Sequence, residues 1–154
     1  MALVTHFKDL RVYQDAFGAA MKIFELSKKW PTEERYSLTD QIRRSSRAVC
    51  GNIAEAWRKR RYLNHFVSKL TDADSEGAET QNWLAFAHAC GYLVSDQYEE
   101  LWGIYEKISG GLVTMMSDAE TWCGPAQLLR EPIAPYTANP PPHPHTPTLP
   151  NEKK

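Results

Sequence analysis

Apolar side chains recur every three or four residues through most of the first 123 positions, and this spacing constrains the fold more than any other feature. Such a repeat places apolar residues on one face of an α-helix. The first helix is predicted over about 9–29 and the third over about 64–90. Ser37 is predicted to cap the second helix, and Asp96 with Glu99 to form a capping box that starts the fourth.

The repeat assigns an inward-facing side to each helix, and no strand pattern competes with it. Amphipathic helices of this length joined by short loops predict an all-α fold, an antiparallel up-down-up-down four-helix bundle. In chain order, the predicted inward positions are Leu10, Tyr13, Phe17, Ala20 and Phe24; Leu38, Ile42, Ser45, Val49, Asn52 and Ala56; Phe66, Leu70, Ala73, Gly77, Thr80, Leu84 and Ala87; and Tyr98, Leu101, Tyr105, Ile108, Leu112, Met115 and Ala119.

The prolines divide the chain of 154 residues into two parts. Nine of the ten prolines lie at or after Pro125, where apolar periodicity is weak. We therefore expect the bundle to occupy residues 1–123 and a disordered proline-rich tail to occupy 124–154. No run of 18 apolar residues and no signal peptide is evident, so the sequence predicts a cytoplasmic protein without a membrane partner.

Common enzymatic and metal-binding patterns are missing from the sequence. The three cysteines form no Cys-x-x-Cys pair, so we expect plain apolar thiols rather than a disulfide framework or a zinc site. No histidine follows a glutamate by three residues, which excludes the di-iron pattern of four-helix bundles. The sequence predicts no cofactor, no metal and no catalytic residues.

Basic residues are concentrated in one segment although the net charge of the chain is only −1. Between residues 43 and 61 a single acid, Glu55, accompanies seven cations. This sorting of charge is typical of proteins that bind polyanions, because arginine and lysine contacts to phosphates release counterions. Tyr62 can stack on unpaired RNA bases, as can the neighbouring Trp57 and His65. The predicted nucleic-acid-binding residues are Arg43, Arg44, Arg47, Arg58, Lys59, Arg60, Arg61 and Tyr62.

The same cations have a structural alternative, because positive charge at a helix C-terminus is favoured by the helix dipole by about 0.3–1 kcal/mol per residue. Two cations would be enough for that effect, whereas consecutive cations repel one another in the free protein. The sequence therefore leaves two interpretations of these cations, a nucleic-acid-binding site and a solvated or protein-binding helix end.

Other polar residues of the helices have structural predictions. Ser45 and Asn52 are expected to bond to backbone or to a partner helix and to fix the register. Glu55 is expected to pair with Arg58 or Lys59. Gly51 and Gly77 suggest close approach between helices. The acidic run Asp72, Asp74, Glu76 and Glu79 is expected to be a solvated face or a surface for a basic partner.

Two further hypotheses concern the segment between the second and third predicted helices and the two helices that follow it. Arg60 and His65, separated by four residues, resemble the signature of HEPN-type ribonucleases, in which such a pair acts at the 2′-hydroxyl and the scissile phosphate. Residues 83–93 are apolar on nearly every side, and the fourth helix adds Trp102, Val113 and Met116 beside its seam. Helices that are apolar on more than one face favour a subunit interface, although a larger core is the alternative.

Several short motifs resemble the four-helix-bundle family encoded by intervening sequences of 23S ribosomal RNA genes, often labelled S23 ribosomal protein. These motifs are FKDLRVY at 7–13, YSLTDQIRR at 36–44, NIAE at 52–55, AETQNWL at 78–84 and CGYL at 90–93. The family usually has glycine after NIAE, whereas this chain has Ala56. The resemblance spans about 6–123 and implies an antiparallel bundle that assembles as a homopentamer.

The resemblance also implies kinship with the accessory variability proteins of diversity-generating retroelements, which bind RNA and a reverse transcriptase through a positive surface and have no catalytic residues. Taken with the basic segment, it predicts a non-catalytic, oligomeric accessory protein that binds structured RNA. A protein-interaction scaffold that docks a partner such as a reverse transcriptase is the alternative, and a HEPN-like ribonuclease is the third possibility.

Overall fold

The computed structural model describes residues 4–124, which are helical apart from short turns. Four long helices are present: α1 (Arg11–Ser27), α2 (Asp40–Arg58), α3 (Leu63–Ala89) and α4 (Ser95–Ser117). A short helix, α5 (Ala119–Cys123), follows α4 directly. The all-α prediction is confirmed, and the predicted proline-rich tail lies outside the described residues.

The long helices run antiparallel to their neighbours and form a closed ring of four interfaces. At each interface, residue numbers rise on one helix as they fall on the other, which is the signature of antiparallel packing. The contacts that show it are Asp15–Lys107 and Lys22–Glu100, Ser27–Arg43 and Phe24–Arg47, Arg44–Glu79 and Glu55–Lys69, and Thr71–Met116 and Gln81–Glu106.

The predicted core faces of α2, α3 and α4 agree with the structure. All seven inward positions predicted for α3 are buried, and they are the only buried residues of that helix. On α2 the prediction fails only at Asn52, which is half-buried, and on the fourth helix only at Tyr98. Ala119 is buried on α5 rather than on α4.

The predicted inward face of α1 is only partly right, because Leu10 and Ala20 are buried whereas Tyr13, Phe17 and Phe24 are not. Phe17 is 53% exposed, whereas Ala16, Ala19 and Ile23 are almost completely buried. Small side chains let α1 approach its neighbours closely, and the larger aromatic residues are displaced to the edge of the interface. Tyr13 and Phe17 stack there, with ring centroids 6.1 Å apart.

Both predicted helix starts need correction. A 3-10 turn (Thr32–Glu34) and a π-helical turn (Arg35–Thr39) lead into α2, and the Ser37 hydroxyl bonds to Glu34 instead of capping the helix. The chain is already helical before α2, so no free N-terminus remains for Ser37 to cap. At α4, the side chain of Gln97 accepts from the Val94 N–H at 3.2 Å, so Asp96 and Glu99 are not the cap.

Close helix approach occurs at a glycine that the sequence did not single out. A Cβ atom on Gly51 would meet nothing within 4 Å, and one on Gly77 would make only ordinary contact with Tyr105 at 3.8 Å. A Cβ on Gly111 would lie 2.5 Å from Cγ1 of Val12. The tight crossing therefore joins α1 to α4, and the expectation for Gly51 is wrong.

Candidate nucleic-acid interface

The α2 helix continues to Arg58, and this continuity determines where its cations lie. At 100° per residue, Arg47 and Arg58 are separated by roughly 20° around the helix and by about 16 Å along it. Both side chains are exposed, as is Gly51 between them. The prediction that Arg58 projects from nearly the same side as Arg47 is therefore confirmed.

Arg43 and Arg47 both cover the ring of Phe24 on α1. Their guanidinium carbons lie 4.9 Å and 5.7 Å from the ring centroid, within the range of a cation–π contact. The Nε of Arg43 also donates to the Ser27 hydroxyl at 2.8 Å. Arg43 is half-buried and joins α2 to α1, so its outward prediction holds only in part.

Arg44 points to the other side of α2 and is paired with α3. Its Nη2 lies 2.9 Å from Oε1 of Glu79, and the same carboxylate oxygen accepts from the Trp83 indole at 3.3 Å. Arg44 is consequently separated from the stripe that Arg47 and Arg58 share, and its charge is balanced by a neighbour.

The turn between α2 and α3 carries the most available positive charge. Arg58, Lys59 and Arg61, which we call the terminal cation cluster, are exposed and form no ion pair within residues 4–124. Three neighbouring cations without acids repel one another, and a polyanion would relieve that repulsion. Tyr62 lies beside them and is 64% exposed, so its ring is accessible for stacking.

Arg60 differs from its neighbours because it packs against the protein. Its guanidinium carbon lies 3.4 Å from the centroid of the Trp57 ring, and its Nε donates to the Trp57 carbonyl at 2.8 Å. The Trp57 ring in turn contacts Trp122 edge-on, with centroids 6.4 Å apart. Arg60 thus covers the end of α2 and helps attach α5, which is a structural role.

The Arg60–His65 spacing places the two residues in different elements. Arg60 lies in the turn after α2, while His65 lies in the first turn of α3 with its ring 5.2 Å from that of Tyr62. Within residues 4–124 no group of three or more histidine, cysteine or acidic side chains is arranged to hold a metal ion.

Glu55 lies close to the terminal cation cluster but does not neutralise it. Its carboxylate pairs with Lys69 of α3 at 2.7 Å, and this contact lowers the pKa of Glu55. The predicted ion pair with Arg58 or Lys59 does not form, and Lys59 contributes only a weaker electrostatic attraction, because antiparallel packing brings Lys69 of the next helix closer. Glu55 therefore offsets little of the positive charge of the terminal cation cluster.

Polar residues inside the bundle fix the register between α2 and α3, as predicted. The hydroxyls of Ser45 and Thr80 lie 2.9 Å apart at the centre of this interface, and both are fully buried. Asn52 donates to the Ala48 carbonyl at 3.0 Å and accepts from Lys69 at 3.4 Å. Ser45 and Asn52 therefore have structural roles in the bundle.

The acidic run on α3 is not simply a solvated face. Glu79 pairs with Arg44, and Asp72 lies 3.7 Å from Lys69. One carboxylate oxygen of Glu76 is buried and has no hydrogen-bond partner among the described residues. Burial, followed by repulsion from Glu79, raises the pKa of Glu76.

Sequence reasoning missed two exposed cations at the end of the bundle where α2 ends. Lys8 belongs to the 3-10 turn Phe7–Asp9, which contacts α2, and Arg11 begins α1. Antiparallel packing brings the start of α1 to the end of α2, some 50 residues away along the chain. Counting charges along the sequence does not show that these segments are close in space, whereas the predicted bundle topology implies it.

Two of the three cysteines, as expected, behave as apolar core residues. Cys50 and Cys123 are buried and Cys90 is exposed. Burial raises the pKa of the Cys50 thiol to about 11, so it stays protonated at neutral pH. None of the described helices is both long and apolar enough to cross a membrane.

Comparison with known proteins places the fold and the sequence motifs in one family. The family model of the 23S rRNA-intervening sequence protein matches residues 8–114. A solved structure from Bacteroides thetaiotaomicron VPI-5482, a protein with unknown function from the S23 ribosomal protein family, is 27% identical with a TM-score of 0.62. The match covers 69% of this chain and 95% of that one. No curated protein compared with the chain matches it. Because the family model covers more than half of the sequence, the chain belongs to the 23S rRNA-intervening sequence protein family.

Proposed function

We propose that this protein is a non-catalytic RNA-binding accessory protein that contacts structured RNA through the terminal cation cluster. The observation that carries the proposal is the exposure of Arg58, Lys59 and Arg61, none of which forms an ion pair with an acid in the described part of the chain. Ordinary surface cations are interspersed with acids, as Lys22 and Lys107 are here. Cations left unneutralised at one end of a helix favour a polyanionic ligand.

The remaining predicted residues contribute unequally to this proposal. Arg47 lies on the same side of α2 as Arg58, so one RNA strand could contact both. Tyr62 offers an exposed ring for a base. Arg43, Arg44 and Arg60 are already engaged with Ser27, Glu79 and Trp57, so we expect smaller contributions from them.

The experiment is fluorescence anisotropy of a labelled structured RNA with the wild-type protein and two charge-matched variants. One variant changes Arg58, Lys59 and Arg61 to glutamine, and its control changes Lys22, Lys29 and Lys107 to glutamine. Both variants lose three positive charges, so a general effect of net charge cancels.

The proposal predicts that the first variant loses affinity by about 100-fold or more at low salt while the control stays within a few-fold of the wild type. Equal losses in both variants would reduce the binding to a general charge effect. Negligible binding by all three proteins would contradict the proposal and turn attention to protein partners such as a reverse transcriptase.

We also propose that the protein self-associates, so that each assembly repeats the terminal cation cluster. Exposed apolar side chains support this part of the proposal, since Phe17, Met21, Phe86 and Val113 are all more than 45% exposed. Several copies of a weak site on one assembly would bind a long RNA far more tightly than one copy does. The ring of five subunits implied by family resemblance gives one such arrangement.

Self-association is measured by sedimentation velocity across a concentration series. We expect a mass several times that of the 17.6 kDa chain, reduced by Phe17→Lys or Phe86→Lys if those faces are interfaces. A monomer at every concentration would exclude the oligomeric part of the proposal and leave the RNA-binding part standing.

A further inference from the structure

A pocket of about 290 Å³ lies between the end of α1 and the two turns that lead into α2. This is the opposite end of α2 from the terminal cation cluster. Residues from all of these elements line the pocket, and those that matter here are Lys28, Trp30, Thr32, Arg35, Thr39 and Arg43.

The pocket wall is positively charged. Three of its residues are cations and none carries a carboxylate. Lys28 is paired with Glu25 at 2.9 Å, so its charge is balanced. Arg35 forms no ion pair within residues 4–124, and Arg43 is held there by the hydrogen bond from its Nε to Ser27. Two arginines therefore contribute charge that the pocket itself does not neutralise.

The adjacent acid Glu34 does not line the pocket and is hydrogen-bonded to two hydroxyls. The two carboxylate oxygens of Glu34 accept from the Tyr92 hydroxyl at 3.2 Å and from the Ser37 hydroxyl at 3.0 Å. The C-terminus of α1 also faces this region and opposes an anion with about half an elementary charge. Two arginines exceed that contribution several-fold, so the pocket favours a negative ligand.

Hydrogen-bond donors in the wall complete the site. Thr39 is 8% exposed, and neither its hydroxyl nor that of Thr32 has a partner among the described residues. The indole Nε1 of Trp30 is buried and likewise has no acceptor in that part of the chain. The two threonine hydroxyls are therefore available to donate to an oxygen-rich anion.

We infer that this pocket binds a phosphate group, with Arg35 and Arg43 as charged donors and Thr32 and Thr39 as hydroxyl donors. Guanidinium groups match phosphate geometry because their N–H groups form a planar fork. The volume of about 290 Å³ accommodates a phosphate group or a terminal nucleotide. This second site does not depend on RNA binding by the terminal cation cluster.

The test is a titration of the full chain with inorganic phosphate. Binding is monitored by ¹H–¹⁵N NMR, and chloride keeps the ionic strength constant. We expect saturable shifts of the Thr32, Arg35 and Thr39 amides and of the Trp30 indole. Arg35→Gln should weaken binding by about tenfold, because it removes a charge-assisted donor. Arg11→Gln, which removes a cation at the other end of the bundle, should leave the affinity unchanged.

Arg35 is exposed, so we expect Arg35→Gln to leave folding unchanged. Shifts that do not saturate, or that are equal in the wild type and Arg35→Gln, would overturn the inference. A variant with glutamine at 58, 59 and 61 should bind phosphate normally, which separates this site from the proposed RNA surface.

The source of the phosphate is identified by two short RNAs that differ only in a 5′-phosphate. Tighter binding of the phosphorylated RNA, lost in Arg35→Gln, assigns the pocket to RNA ends. Equal binding of both RNAs, together with saturable binding of inorganic phosphate, assigns it to a free phosphate ligand.

Discussion

The surroundings of Glu76 disfavour its negative charge. One of its carboxylate oxygens is buried without a partner, and Glu79 stands one turn away on α3. Burial and this repulsion raise its pKa above the usual value of 4.5, with Arg44 partly offsetting them. The folded state therefore favours the protonated form of Glu76 more than the unfolded state does.

A raised folded pKa makes the stability contributed by Glu76 complete at low pH and lost as the pH rises through that pKa. We therefore expect Glu76→Gln to stabilise the protein at pH 7, by on the order of 1 kcal/mol or less. The neutral amide can also donate to Glu79. The difference should vanish below about pH 4, where the wild-type carboxyl is protonated. Urea unfolding at both pH values measures it, and a destabilised variant at pH 7 would contradict this reading.

The hydrogen bond between Ser45 and Thr80 joins α2 to α3. Both hydroxyls are fully buried, so removing one leaves the other without its side-chain partner. The remaining hydroxyl can still donate to a carbonyl of its own helix, Ser45 to Ile42 and Thr80 to Glu76. We therefore expect Thr80→Val and Ser45→Ala each to cost about 0.5–1.5 kcal/mol of unfolding free energy. The double variant should cost less than the sum, because the shared hydrogen bond is lost only once. Strict additivity in urea unfolding would show that the two groups do not interact.

At the scale of the helices, sequence reasoning succeeded where the apolar stripe is unambiguous. The α3 seam was predicted completely because its residues recur without competing apolar neighbours. On α1, two candidate stripes exist, and the prediction chose the aromatic one. The buried stripe instead runs through Val12, Ala16, Ala19 and Ile23, with Leu10 and Ala20 beside it, and its alanines leave room for neighbouring helices. Single-sequence periodicity cannot rank two such stripes, since the ranking depends on the partner surface.

The α1–α4 crossing supplies a paired prediction in which one substitution has opposite effects. Gly111→Ala would place a Cβ 2.5 Å from Val12, whose branched side chain moves little, so we expect a loss of about 1–3 kcal/mol. Gly51→Ala meets open space in a helix interior and should stabilise by about 0.5–1 kcal/mol. Thermal or urea unfolding of both variants tests this, and the same sign for both would contradict the packing described here.

At the scale of the whole molecule, the bundle decides which cations can act together. The sequence grouped seven cations because they are close along the chain. The structure divides them into Arg43 and Arg47 over Phe24, Arg44 against α3, Arg60 against Trp57, and the terminal cation cluster. The basic segment was thus predictable, but its division was not, because each engaged arginine finds a partner from elsewhere in the fold.

The measurement that tests the central proposal most directly is the salt dependence of RNA binding for single variants of Arg58, Lys59, Arg60 and Arg61. Each phosphate contact contributes roughly 0.7–0.9 to the slope of log affinity against log salt. We expect Arg58→Gln, Lys59→Gln and Arg61→Gln each to reduce the slope by nearly one, and Arg60→Gln to reduce it less while lowering stability. A slope unchanged in all four variants would contradict the account and leave these cations as a solvated helix end.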